Sequence, residues 1–287
     1  MGSTSFTRGF APIRTTATDR LSILVRMQLR FHVPSTRAAP TVTGPARIRP
    51  LRPQAASAPP LVLQVGTVLK VVLGIAAVLL AFHLVVVWSY LGDWRFPARD
   101  KFYLDAENNL PTVFSTLILL LATSLLAWIS RIQRHARDPF ARHWIGLAIV
   151  FLALTVDESA SFHELLIHPL RTAYGTTGWL RFPWVVAGGA FVVVFASAYL
   201  RFLAHLPKAT RWTFLAAGTL YVGGAVGMEM VGGRVFMEEG TPGRTLVPYM
   251  IAMTVEECAE IAGVTLFILG LLRYLADRSG RLQLEVR

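Results

Sequence analysis

Acidic residues and histidines occur inside three apolar segments of this sequence, where charged side chains are rare. The first segment ends in VDESASFHE at 156–164, the second contains Glu229, and the third contains EECAE at 256–260. Carboxylate and imidazole groups can bind a divalent cation or pass protons along a chain. The residues predicted to form such a site, as metal ligands or as relay groups, are Asp157, Glu158, His163, Glu164, Glu229, Glu256, Glu257 and Glu260.

Counting along ideal helices places these groups at a similar height in the membrane. Measured from the basic residues at the opposite ends of their segments, Asp157, Glu229 and Glu260 lie about 22, 27 and 20 Å along their helices. We therefore expect one acidic layer shared by the three segments and displaced toward the outer face. The entrance to this layer is predicted at Asp105, Glu107 and Asn108.

The energetic cost of this layer limits what it can be. A charged carboxylate in hydrocarbon costs about 2.5–3.5 kcal/mol on insertion scales. Six of them would cost on the order of 15 kcal/mol, which exceeds the net stability of a typical fold. Nearby basic residues are too few to neutralise them, so a divalent cation of unknown identity, shared protons or a hydrated vestibule without a bound partner stay open as explanations.

Established catalytic patterns fit this set of residues poorly. Di-iron bundles carry Glu-x-x-His on two helices, whereas EECAE has Glu260 at the histidine position. His163 and His168 alone do not make a three-histidine zinc site, and no Gly-x-Ser-x-Gly elbow is present. Cys258 is the single cysteine, which excludes an internal disulfide and a thiolate cage. A membrane-embedded metalloenzyme acting on a lipid or quinone stays an alternative.

Six long apolar stretches must position these residues. The chain of 287 residues is 54% hydrophobic and 16% charged, whereas soluble domains are nearer a quarter charged. Most of the stretches are long enough to cross a hydrocarbon core about 30 Å thick. We therefore predict an all-α polytopic membrane bundle of six transmembrane helices in the lipid bilayer. The predicted helices are 67–91, 110–130, 143–167, 183–204, 212–236 and 247–275.

Some details of this bundle have alternatives. The third helix could end near Asp157, and the sixth could begin after Glu257, which would place their acids at the membrane surface. Asn109 is placed to cap the second helix, and Pro183 lies at the probable first turn of the fourth. Four glycines in the fifth helix predict close packing against a neighbouring helix. They are Gly218, Gly223, Gly224 and Gly227.

The net charge of +11 is distributed unevenly. Arginines are concentrated in the second connection and near the C-terminus, so both termini are predicted to be cytoplasmic. Residues 1–60 contain nine arginines and one acid, which predicts a disordered basic arm. An organelle transit peptide or a later start at Met27 are alternatives for this arm, and we expect no nucleic-acid partner. The transmembrane domain is predicted at 61–276 and a cytoplasmic tail at 277–287.

Three strings support a relationship to known sequences. FYLDAENNLPTVFS at 102–115, VDESASFHE and TVEECAEIAG resemble stretches of an uncharacterised family of bacterial multi-pass inner-membrane proteins. The resemblance covers roughly residues 65–276 and implies the bacterial inner membrane, but it implies no reaction. A non-enzymatic accessory subunit of a larger membrane complex, with a membrane-protein partner, therefore stays an alternative to a cation site.

Overall fold

A computed structural model describes residues 65–92, 94–238 and 246–278 of the chain. The predicted arm at 1–60 and most of the predicted tail at 277–287 lie outside these residues. Within the described ranges the chain is helical and contains no strand. Six of the helices are long and apolar enough to cross a membrane, in agreement with the predicted number. The cytoplasmic location of both termini stays a prediction.

The helices follow one another with short connections. A 3₁₀ turn at Gly178–Leu180 precedes α7, and a π-helical turn at Gly223–Met228 joins α8 to α9. The α-helices are α1 (Val65–Leu91), α2 (Arg99–Phe102), α3 (Leu110–His135), α4 (Ala141–Ala160), α5 (Phe162–Leu165), α6 (Ile167–Tyr174), α7 (Trp184–His205), α8 (Lys208–Val222), α9 (Glu229–Glu238) and α10 (Leu246–Arg278).

The longest helix, α10, is at the centre of the bundle. It packs against α1, α3, α8 and α9, and its residues Ile268, Leu271 and Leu272 are almost completely buried. On α3, Leu126 and Ile129 are buried in the same core. Because α10 starts at Leu246, EECAE lies well inside a helix. The alternative that the sixth helix begins after these acids is therefore wrong.

Local chemistry explains where several helices begin. The Asn109 side chain accepts a hydrogen bond from the Thr112 backbone N–H at 3.0 Å, which confirms the predicted cap of α3. The predicted start of the fifth helix at 212 is four residues late, because α8 begins directly after Pro207. Arg211 holds this turn by donating hydrogen bonds from its guanidinium to the backbone carbonyls of Leu203 and Ala204, at 2.8 and 2.6 Å.

The third predicted helix is shorter than expected. Residues 143–167 were predicted to form one helix, but α4 ends at Ala160, three residues after Asp157 and close to the alternative helix end, because Ser161 adopts a left-handed conformation with φ of 51°. The backbone N–H of His163 then bonds to the Asp157 side chain instead of continuing the helical ladder. Asp157 and Glu158 consequently lie on α4, whereas His163 and Glu164 lie on the separate short helix α5.

The fifth predicted helix contains a π-helical turn in its middle. This turn, Gly223–Met228, ends directly before Glu229. π-helical turns are rare and occur preferentially at functional sites. At Gly224 a Cβ atom would lie 2.8 Å from the carbonyl oxygen of Glu256, so α10 approaches this turn as closely as a glycine permits. The turn therefore places Glu229 beside the acids of α10.

The glycine prediction is correct only in part. Gly224 packs closely against α10, as expected. Gly218, Gly223 and Gly227 instead have no atom within 4 Å of the position that a Cβ would take. Their missing side chains leave open space rather than a helix contact.

Candidate functional site

The predicted acidic residues surround one cavity with a volume of about 910 Å³. It lies between α4, α5, α7, α8, α9 and α10, with the segment before α3 at its mouth. All eight predicted site residues line it, and so do Asp105 and Glu107 of the predicted entrance. Nine carboxyl groups and one histidine therefore face the same space. None of the described residues that line this cavity is a lysine or an arginine.

The best-defined contact in the cavity joins Asp157 and His163. His163 Nδ1 lies 2.8 Å from Asp157 Oδ2, and the backbone N–H of His163 donates to Asp157 Oδ1 at 2.9 Å. The left-handed turn at Ser161 makes both bonds possible, because it brings α5 back toward the end of α4. Asp157 thereby fixes the orientation of the imidazole, and His163 Nε2 makes no hydrogen bond to any residue that the structure describes.

A second set of contacts connects α7, α9 and α10. Trp184, in the first turn of α7, donates a hydrogen bond from its indole N–H to Glu229 Oε1 at 3.2 Å. The Glu229 and Glu256 carboxyl groups lie close enough to form a hydrogen bond if one of them is protonated. A carboxylate has no donor, so this bond requires a proton on one member of the pair. The ring of His163 also lies against Trp184, with 5.0 Å between the ring centroids.

Three further glutamates line the cavity without a hydrogen bond or an ion pair to any described residue. Glu257 and Glu260 lie on α10, and Glu158 faces them from α4. The three carboxyl groups interact mainly through their mutual negative charge. This part of the cavity therefore needs water, protons or a cation as a partner.

Electrostatics at the mouth of the cavity favour the protonated forms of its groups. Asp105 is exposed at the mouth, but partial desolvation among neighbouring groups and the charges of Glu229, Glu164 and Glu107 raise its pKa. Burial and the charge of Glu107 raise the pKa of Glu164. Burial disfavours the imidazolium of His163, but the hydrogen bond and charge of Asp157 outweigh it, so the pKa of His163 is raised as well. The mouth therefore attracts positive charge.

One residue of the predicted entrance is not part of the cavity. Asn108 is exposed, adopts a left-handed conformation with φ of 57°, and does not line the cavity. Its role is in the turn that leads to Asn109 and α3. The structure adds residues that the sequence did not indicate, namely Trp184, Tyr221 and Tyr249. The only signal for Trp184 was its position directly after Pro183 at the start of a helix.

The cavity does not contain a preformed metal centre. Among the described residues, no three His, Cys, Asp or Glu side chains converge in a way that could hold a metal ion. The arrangement instead combines paired groups, Asp157 with His163 and Glu229 with Glu256, with the unpaired acids nearby. Paired groups of this kind can hold and exchange protons, and the unpaired carboxylates can receive an organic cation.

These features define a class: an all-helical protein with six membrane-length helices and an acidic cavity between them. The chain belongs to the family described as "Domain of unknown function (DUF8692)", whose model matches residues 71–275. This match is consistent with the resemblance to an uncharacterised family that the three sequence strings suggested. No curated protein and no solved structure matches the chain.

Proposed function

We propose that this protein is a multi-pass membrane protein that binds protons and other cations in its acidic cavity. The observation that carries the proposal is the cavity lining, in which nine carboxyl groups and His163 meet with no lysine or arginine among them. Six of those carboxyl groups lie in helices of membrane length, where ionised and unpaired side chains are costly. Because none of the described residues that line the cavity is a lysine or an arginine, we infer that bound protons or other cations supply the positive charge.

Protons are the cations that the contacts support most directly. The bond between Glu229 and Glu256 requires a shared proton, and Asp157 with His163 forms a second proton-holding pair. Asp105 and Glu164 at the mouth connect these pairs to the aqueous phase. Toward the other end the cavity is lined by Phe151, Phe214 and other apolar side chains, so proton exchange is expected through the acidic mouth alone.

The membrane and the orientation are part of the proposal. The arginine-rich connection between α3 and α4 favours the cytoplasm, which would direct the acidic mouth to the periplasmic side of a bacterial inner membrane. A divalent cation at the same carboxylates is the alternative that the sequence left open. It finds no support in ligand geometry among the described residues. In an accessory subunit of a larger membrane complex, the same acids would make interhelical or intersubunit hydrogen bonds instead of binding cations.

Infrared spectroscopy of the protein in lipid nanodiscs tests the proposal. Protonated carboxyl groups have a C=O stretching band that carboxylates lack, and we expect this band at neutral pH. Glu256→Gln should reduce it, because it removes one half of the carboxyl pair with Glu229. The matched control is Asp138→Asn. Asp138 does not line the cavity, and its carboxylate lies 3.8 Å from Arg278 Nη1.

The possible outcomes separate the alternatives. A band that is reduced by Glu256→Gln and unchanged by Asp138→Asn supports proton binding in the cavity. Absence of the band at neutral pH contradicts it. Elemental analysis of the same sample tests the divalent cation. About one metal ion per chain would favour a metal site over proton binding, provided that Glu256→Gln loses both the metal and the stability that the metal confers.

A further inference from the structure

The acidic cavity continues as an apolar channel along α7. One face of α7 lines it over the length from Trp184 to Leu203, about 28 Å at 1.5 Å per residue. The residues on this face recur at helical spacing, and most of them are apolar or aromatic. They are Trp184, Gly188, Phe191, Val192, Phe195, Ala196, Tyr199, Phe202 and Leu203.

The space beside α7 is not filled by other helices. Only Val185 and Phe202 of α7 are buried, although the helix has 22 residues. On the opposite wall, Gly218 on α8 has nothing within 4 Å of its Cβ position, and Gly223 and Gly227 are equally open. Phe191 and Leu215 line the cavity and are 52% and 38% exposed, which indicates that the channel opens toward the lipid.

The shape of this space matches an extended hydrocarbon chain. The cavity, whose whole volume including the acidic end is about 910 Å³, extends along about 28 Å of α7, so an even spread would give an upper limit of about 30 Å² for its mean cross-section. That is wide enough for one or two alkyl chains and too narrow for a folded peptide. Among the described residues, the polar groups of this part of the lining are the hydroxyls of Tyr199, Thr219 and Tyr221, and that of Tyr199 donates a hydrogen bond to the His143 carbonyl at 3.0 Å. The lower channel therefore offers mainly apolar surface.

The acidic end of the cavity, in contrast, favours a positively charged group of the ligand. The carboxyl groups of Glu158, Glu257 and Glu260 have no hydrogen-bond partner among the described residues, and no lysine or arginine lines the cavity. The rings of Trp184 and Tyr249 line the same cavity, Trp184 in contact with Glu229, and aromatic faces attract ammonium groups. An anionic or phosphate-bearing head group would be repelled, whereas an amine would be bound.

We propose that the cavity binds a membrane lipid of the long-chain amine class, with its ammonium group among the acids and its alkyl chain along α7. The inference rests on the proposed function, because the ammonium group is one of the cations that the acidic end would hold. It adds the apolar part of the ligand and a lateral route of entry from the bilayer. It also explains why glycines face open space at positions 218, 223 and 227.

Photolabelling in nanodiscs of zwitterionic lipid tests this proposal. The probe is hexadecylamine with a diazirine near the end of its chain. We expect labelled peptides from the Phe191–Leu203 part of α7 and from the beginning of α8. Plain hexadecylamine should compete with the probe, whereas hexadecanol, which has the same chain without the charge, should not.

A variant on the apolar wall separates this proposal from the proposed function. Gly218→Leu should fill the channel and reduce labelling at least about tenfold. The protonated-carboxyl band should stay unchanged, because residue 218 lies 11 residues, about 16 Å along the helix, before Glu229 of the carboxyl pair. Gly74→Leu is the matched control: it also replaces an exposed helical glycine with no atom within 4 Å, but on α1 outside the cavity. Gly227→Leu provides a second block of the same wall.

Each possible result of the labelling experiment supports or contradicts the proposal. Labelling that Gly218→Leu and Gly227→Leu reduce and Gly74→Leu does not supports the proposal. Labelling unaffected by both cavity variants, or competed equally by hexadecanol, overturns it. If the carboxyl band is present while specific labelling is absent, only the lipid ligand is refuted. If the band itself is absent at neutral pH, the proposed function fails as well.

Discussion

His163 Nδ1 lies 2.8 Å from Asp157 Oδ2, although the two residues belong to different helices. The left-handed residue Ser161 between them ends α4 and reverses the chain just enough for both the imidazole and the backbone N–H of residue 163 to reach one carboxylate. The turn that ends α4 is therefore also the turn that brings Asp157 and His163 together. Both sides of the pair face the acidic cavity.

Replacing Asp157 with asparagine tests this relationship. Asp157→Asn should destabilise the protein by about 1–2 kcal/mol, because it removes a charge-assisted hydrogen bond to His163. Since Asp157 raises the pKa of His163, the imidazole should also titrate at lower pH in the variant. Unfolding in detergent and the NMR titration of His163 are the measurements. Ser159→Ala is the control, because its exposed hydroxyl bonds only to the Val156 carbonyl. An equal loss of stability in both variants would contradict the assignment.

The number of membrane-length helices and the meeting of the acids were predictable, because both depend on local features. Apolar length identifies the helices, and the rise per residue brings Asp157, Glu229 and Glu256 to a similar height. A helix end near Asp157 was one of two alternatives, and the apolar pattern could not choose between them, because the break at Ser161 depends on the Asp157 side chain bonding to the backbone N–H of His163. The prediction that Gly218 packs against a neighbouring helix was wrong for a related reason. A glycine looks the same in the sequence whether a helix or an empty space faces it.

Stability should depend on pH through Asp105. Its pKa is raised above the ordinary value of 3.8 toward about 8 by desolvation and by neighbouring acids, and exposure of the residue to solvent at the cavity mouth weakens this shift. The folded state therefore binds a proton that the unfolded state releases. Stability from this group is complete below the unfolded pKa and is lost as the pH rises toward about 8. The raised pKa of His163 acts in the same direction. The melting temperature should therefore fall between about pH 5 and pH 9.

The contribution of Asp105 can be isolated by mutation. Asp105→Asn keeps the shape of the side chain and removes its charge, so the melting temperature should depend less steeply on pH. Asp100→Asn is the control, because Asp100 is an exposed acid of α2 that does not line the cavity. Melting curves across the pH range in the same detergent provide the comparison. A slope that stays at the wild-type value in Asp105→Asn would show that this carboxyl group is ionised throughout.

Orientation in the membrane is a separate prediction. Arg131, Arg134, Arg137 and Arg142 surround the connection between α3 and α4, so that connection is expected in the cytoplasm. Reporter fusions at residue 136 should be active on the cytoplasmic side, and fusions at residue 176 on the periplasmic side. Reversed activities would place the acidic mouth in the cytoplasm. The proton-binding cavity would then exchange with the cell interior.

The final prediction concerns the close approach of α10 to the π-helical turn. In Gly224→Ala the new Cβ would lie 2.8 Å from the Glu256 carbonyl oxygen and 3.0 Å from Glu260 Cγ. The carbonyl oxygen belongs to a helix backbone and cannot move by itself, so the two helices must separate. We expect a loss of about 1–3 kcal/mol, despite the better helix propensity of alanine.

Gly218→Ala makes the matched comparison on the same helical stretch. No atom lies within 4 Å of its Cβ position, so the alanine should stabilise the helix by about 0.5–1 kcal/mol. Thermal unfolding of both variants in one detergent gives the difference. Because Gly224 holds Glu256 against the turn that presents Glu229, Gly224→Ala should also weaken the protonated-carboxyl band, whereas Gly218→Ala should not. If the two variants have equal stabilities and equal carboxyl bands, α10 does not pack closely against the π-helical turn. The proximity of Glu229 and Glu256 would then not depend on Gly224.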